Sequence, residues 1–95
     1  MAVYAISYDL HKKGEVSYEN LIKTIKAYGN WCHYLESDWM IISSNTAVQI
    51  RDALRPHIHQ DDKLIVFKVA SGPESEAAWH NLPSDVSEWL RLTLK

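Results

Sequence analysis

From Val3 to Val69 the hydrophobic period reads strand, helix, strand, strand, helix, strand, and few folds accept that order in so short a chain. The first strand, Val3–Tyr8, is an apolar run that ends on a carboxylate, Asp9. After a loop over His11–Val16 that contains Gly14, Ser17 is placed to cap a helix with Glu19 in its first turn, where an acid complements the helix dipole. Tyr18, Leu21, Ile22, Ile25 and Tyr28 recur at helical spacing, and Gly29 punctuates the end. Trp31–Glu36 and Trp39–Ser43 read as strands joined by a tight turn at Ser37-Asp38. Thr46, with Gln49 three residues on, forms a capping box for a second helix. Ile50, Ala53, Leu54 and Ile58 give that helix its apolar face, and Pro56 ends or kinks it. Lys63–Val69 is a fourth, nearly continuously apolar strand.

Short connections and right-handed crossovers fold this order most simply into an α+β, ferredoxin-like βαββαβ sandwich over residues 1–70, with the first and third strands central. Ser71-Gly72-Pro73 then breaks the pattern. Residues 71–95 read as a C-terminal extension, with a helix from Ser84 onward that carries Val86, Trp89 and Leu90. The third and fourth strands are apolar on both faces: Trp39 and Ile41 against Met40 and Ile42, and Leu64 and Val66 against Ile65, Phe67 and Val69. Two helices bury one face, so the other needs a cover. Trp79 and Trp89 of the tail are expected to supply part of it and a second copy the rest, which predicts a homodimer.

The chain has 95 residues, one cysteine and a formal net charge of −2, from ten basic and twelve acidic residues. That balance argues against coating nucleic acid electrostatically, which needs several cations on phosphates. Lys12, Lys13, Lys23 and Lys26 do gather around the first helix, where a solvated face is the ordinary explanation. No apolar run approaches the ~20 residues that span a bilayer. The N-terminus enters the first strand without a basic leader, and Cys32 has no internal partner, so a reducing cytoplasm is the expected compartment.

In the expected topology one edge of the sheet gathers Asp9, His11, Glu36, Asp38, His57, His59, Asp61 and Asp62. Carboxylates in such a set suit Mg²⁺ or Mn²⁺ better than zinc, since His57-Ile58-His59 has no second ligand pair at zinc spacing. The ordinary explanation is that loops are polar. Cys32 and His33 are adjacent in a strand and face opposite ways, which removes a simple nucleophile–base dyad. Ser7 shares a face with Asp9 but lacks a nucleophile elbow. No glycine-rich phosphate loop is present, and the tryptophans read as core and interface ahead of base-stacking platforms.

With Asp9 at the strand tip, the chain resembles the small CRISPR-associated adaptation protein that partners the integrase, the second of the two universal Cas proteins. The resemblance runs from Tyr4 to Val69. It rests on Tyr8-Asp9-Leu10, on Tyr28-Gly29, on the aromatic hairpin and on Asp61-Asp62-Lys63 before the last strand. It implies a homodimer and a metal-dependent nuclease in which Asp9 is the catalytic aspartate and metal ligand, one from each subunit. Other members look like non-catalytic scaffolds for nucleic acid. Two departures stand out: Lys12-Lys13-Gly14 occupies the place of an arginine-bearing helix start, and Cys32–Ser37 replaces the family's glutamine and Ser-Val-Phe-Glu segment. The tail, with Ala78-Trp79 and Trp89-Leu90, is more similar to short bacterial proteins often labelled a SinR family.

The leading expectation is a Mg²⁺- or Mn²⁺-dependent phosphodiesterase acting on RNA or DNA. Asp9 holds the ion near the dimer axis, Asp38 or Asp61 supports it, and Lys12 or Lys13 contacts the backbone. The alternative is a non-catalytic homodimeric scaffold or toxin-like, defence-associated interaction module. A small-ligand domain with a closed apolar pocket is a third possibility.

Overall fold

A computed structural model of the protein describes residues 1–11 and 18–94. Its elements are β1 (Ala2–Asp9), α1 (Glu19–Lys26), β2 (Trp31–Leu35), β3 (Asp38–Ser43), α2 (Ala47–Leu54), β4 (Lys63–Val69) and α3 (Ser84–Leu94). Single 3-10 turns occupy Arg55–His57 and Gly72–Glu74. The strands form one antiparallel sheet in the order β2-β3-β1-β4. Each of α1 and α2 thus joins two strands separated by a third. The result is a small α+β domain compatible with a ferredoxin-like fold.

Strand alternation decides what each face buries. Tyr4 and Ile6 of β1, and Trp39 and Ile41 of β3, pack against Leu21 and Ile25 of α1 and Ile50 and Leu54 of α2. Each helix contributes an i, i+4 apolar pair, so its short length still suffices to dock. Thr46 accepts the Gln49 amide while the Gln49 side chain accepts the Thr46 amide, the expected capping box. α2 stops at Leu54, and Pro56 falls in the 3-10 turn that follows. Ala53 is exposed, not buried as expected: the docked stripe of this eight-residue helix is narrowed to Ile50 and Leu54.

At α1 the residue before the helix is Tyr18, buried and held at φ 54° in the left-handed region. The capping role expected of Ser17 lies outside the described residues. Gly29 takes φ +89°, a conformation that a side chain would strain.

The hairpin differs from expectation. β2 ends at Leu35, the turn is Glu36-Ser37, and Asp38 is the first residue of β3. Cys32 pairs with Met40 but Leu35 pairs with Asp38, so β2 carries one extra residue, a bulge, before a two-residue turn that falls one position earlier than expected.

On the sheet's other face α3 covers one end. Leu90 and Leu94 pack on Val3, with Met40, Ile42, Val69, Val86 and Trp89 around them. Trp89 Nε1 donates to the Asn30 side-chain oxygen at 2.9 Å, fixing α3 near the start of β2. The tail therefore lies on its own sheet. Trp79 takes no part in that cluster; it stays exposed and donates to Ser87 Oγ at 2.9 Å, a contact that holds it against α3. Beyond α3 the same face leaves Ile65 57% and Phe67 49% exposed.

Candidate functional site

β1 emerges at Asp9 because Tyr4, Ile6 and Tyr8 turn toward the helices, which assigns Val3, Ala5, Ser7 and Asp9 to the opposite face. Asp9 is exposed and stands opposite Lys63 on β4. Ser7, one step back on the same face, stands between Asp38 of β3 and Ile65 of β4. Asp9 and Asp38 are thereby diagonal neighbours, a relationship that places side chains within ~7–8 Å. The β1–β3 register brings this about, with Asp38 lying in the ladder and not at the hairpin tip. Ser7, Asp9, Lys63 and Ile65 line a shallow depression of about 210 Å³.

Asp61 is elsewhere. It is exposed in the turn before β4, a turn closed by the Asp62 amide donating to the His59 carbonyl at 3.0 Å. Lys12 and Lys13 lie outside the described residues. Among the described residues no three His, Cys, Asp or Glu side chains converge as a metal would require.

Of the polar edge expected from topology, His11 and His59 meet on Asp62. This carboxylate accepts the His11 amide, the His59 amide at 2.8 Å and the Tyr18 hydroxyl at 2.8 Å. Partial burial alone raises its pKa, but those three donors and the neighbouring His59 ring outweigh burial and hold it below the usual aspartate value. Asp62 was legible as part of the edge, whereas its specific role was not: Asp61 and Asp62 are indistinguishable until the turn sets which one points inward.

A second grouping was not anticipated. The His33 ring stacks on Trp39 with centroids 3.8 Å apart and planes 7° from parallel. Trp31 leans on Trp39 at 5.3 Å, and Lys26 Nζ lies 5.1 Å from the Trp31 ring centroid. Burial, then the Lys26 charge, pushes the His33 pKa down. Cys32, facing the other way, is buried beneath α3, and burial followed by the Asp85 charge pushes its thiol pKa up, which suits a packing role.

Fold and site together define a small α+β domain whose open sheet face ends in two carboxylates. No protein-family model matches the chain, and no curated protein matches it. Among the described residues no helix is long and apolar enough to cross a membrane.

Proposed function

We propose that the protein is a homodimeric, ferredoxin-like protein of the CRISPR-adaptation type that handles nucleic acid and cleaves phosphodiester bonds with Mg²⁺ or Mn²⁺. One observation carries this reading: Asp9 and Asp38 share a sheet face with the exposed apolar pair Ile65 and Phe67. A second copy seated on that apolar strip brings its own Asp9 toward the first. The pooled carboxylates then form an oxygen donor set of the kind hard divalent cations take. One chain alone offers two such donors on this face, so the fit depends on the pair. The ion, when bound, lowers the pKa of water and offsets phosphate charge. Asp9 would hold it with Asp38 in support, while Asp61, expected from the sequence as a further ligand, lies in the turn before β4 away from this pair; Lys12 and Lys13 would steady the nucleic-acid backbone.

The experiment is incubation of purified protein with RNA and DNA, with and without Mg²⁺ or Mn²⁺. Metal-dependent cleavage abolished by Asp9→Ala is expected. Cleavage that survives Asp9→Ala unchanged sinks the site.

The register of Asp9 against Lys63 favours a second reading, a dimeric scaffold that binds without cutting. Lys63 stands directly across the ladder, where its ammonium would compete with a cation for the carboxylate. Tight binding of nucleic acid with no cleavage under either ion is its signature.

A further inference from the structure

The β2 edge carries an arrangement that the carboxylate site does not use. Trp39 is 1% exposed, and its indole Nε1 donates to the Tyr8 hydroxyl at 2.9 Å, which fixes the ring in its plane. His33 lies flat on it, and the His33 Nε2 donates to the Glu36 carbonyl at 3.0 Å, which fixes the imidazole in turn. Because one face of the imidazole is taken by Trp39, the exposure of His33 belongs to its other face and its edges. Two residues away Trp31 is 36% exposed, with the Lys26 ammonium above its ring. β2 is an edge strand, so among the described residues no further strand flanks this row.

An imidazole that merely shields a core tryptophan needs neither a second exposed aromatic beside it nor a cation over that second ring. We propose that this row is a base-stacking surface for single-stranded nucleic acid, with His33 and Trp31 as platforms and Lys26 as the phosphate contact. The proposal rests on the reading of the protein as one that handles nucleic acid, and it names the form of that nucleic acid.

Four physical points support it. Flat rings already immobilised on a core lose little freedom when a base is added, so stacking is realised nearly in full. Alternate side chains of a strand are ~6.8 Å apart, which leaves room for one base on His33 and one on Trp31 once the flexible Lys26 stem swings from the Trp31 face to the phosphate. Duplexes hide their base faces in their own stack, so the row discriminates by strandedness and tolerates sequence. The lowered pKa of His33 keeps its ring neutral at neutral pH, leaving Lys26 to meet the backbone.

The test is a titration of the full chain, by tryptophan fluorescence and by anisotropy of labelled oligo(dT), oligo(rU) and a duplex of equal length. The expected result is quenching and tighter binding with the single strands. Trp31→Ala and His33→Ala each weaken that binding at least about fivefold. Lys26→Ala lowers the salt slope by about 0.7. His33→Ala uncovers Trp39, so His33→Phe is the control: it keeps a flat ring and keeps binding if stacking is the role. Equal affinity for duplex, or single-strand binding indifferent to both alanine variants, overturns the proposal. If Asp9-dependent cleavage persists in that case, only the stacking surface falls. If neither single strands nor duplex bind, the nucleic-acid reading falls with it.

Discussion

The Asp62 carboxylate accepts the Tyr18 hydroxyl at 2.8 Å, tying the segment before β4 to the residue that leads into α1, 44 positions earlier. The same carboxylate holds the amide of His11, just past β1, and that of His59. Three separate stretches of chain meet on one side chain. Tyr18 sits in the left-handed region, which costs a non-glycine residue ~1–2 kcal/mol, so its hydroxyl bond and its burial offset local strain.

Asp62→Ala is therefore expected to destabilise the fold by about 1–2 kcal/mol, at the low end for three lost bonds because the group is partly solvated. For a domain of this size each kcal/mol corresponds to roughly 4–8 °C in Tm. Tyr18→Phe, which removes one donor and keeps the ring, should cost about 1 kcal/mol. Thermal unfolding followed by circular dichroism measures both. An Asp62→Ala Tm equal to wild type overturns the account.

The same carboxylate sets an acid limit. Its pKa is lower folded than unfolded, so the folded state holds its proton more weakly. Its contribution is fully present above the unfolded value of about 4 and is lost as pH falls through the lowered folded value. Stability measured from about pH 6 down to about pH 2 should drop more steeply in wild type than in Asp62→Asn. Parallel profiles refute the assignment.

Tyr34 sets an alkaline limit. Burial, then the charges of Asp38 and Cys32, pushes its phenol up to about 12. The folded state here holds the proton more tightly. Stability from this group is complete below the unfolded value of about 10 and is lost as pH rises toward about 12. In an ultraviolet titration Tyr34→Phe should remove the last phenol step, and Asp38→Asn should move that step to lower pH. A step unmoved by Asp38→Asn separates Tyr34 from the carboxylate site.

The parts of this fold legible in the sequence are those written in local chemistry. Periodicity located the strands and helices, and Thr46 with Gln49 announced the start of α2. What escaped was set by pairing. Neither the β1–β3 register that sets Asp38 beside Ser7 nor the bulge between Cys32 and Leu35 has a residue signature, yet together they decide what surrounds Asp38. The stack of His33 on Trp39 depends on the same register and was invisible for the same reason. Two-faced apolar strands signalled a cover on the second face, but how far α3 reaches across it follows from how the tail packs.

The capping box gives a clean local test. Thr46→Ala removes the acceptor for the Gln49 amide while leaving the core untouched, and should cost about 1 kcal/mol. Thr46→Ser should restore most of that stability, since its hydroxyl accepts the same bond. A Ser variant no better than Ala shows that the Thr46 methyl, not its hydroxyl, matters.

The strip that α3 leaves open offers the sharpest test of assembly. Ile65 and Phe67 remain about half exposed beside Asp9, on a face whose other end is sealed by Leu90 and Leu94. Burying the exposed half of each side chain contributes about 1 kcal/mol, and a symmetric pair counts every contact twice. Phe67→Glu then places two carboxylates in the seam and should weaken the dimer at least about a hundredfold. Sedimentation over a concentration series should show dimer for wild type and monomer for Phe67→Glu. The variant should keep its monomer fold, because Phe67 lies outside both buried clusters. If pooled carboxylates hold the ion, Phe67→Glu also loses cleavage with Asp9 intact. A wild-type chain that is monomeric at about 100 μM removes the second Asp9, and with it the donor set on which phosphodiester cleavage depends.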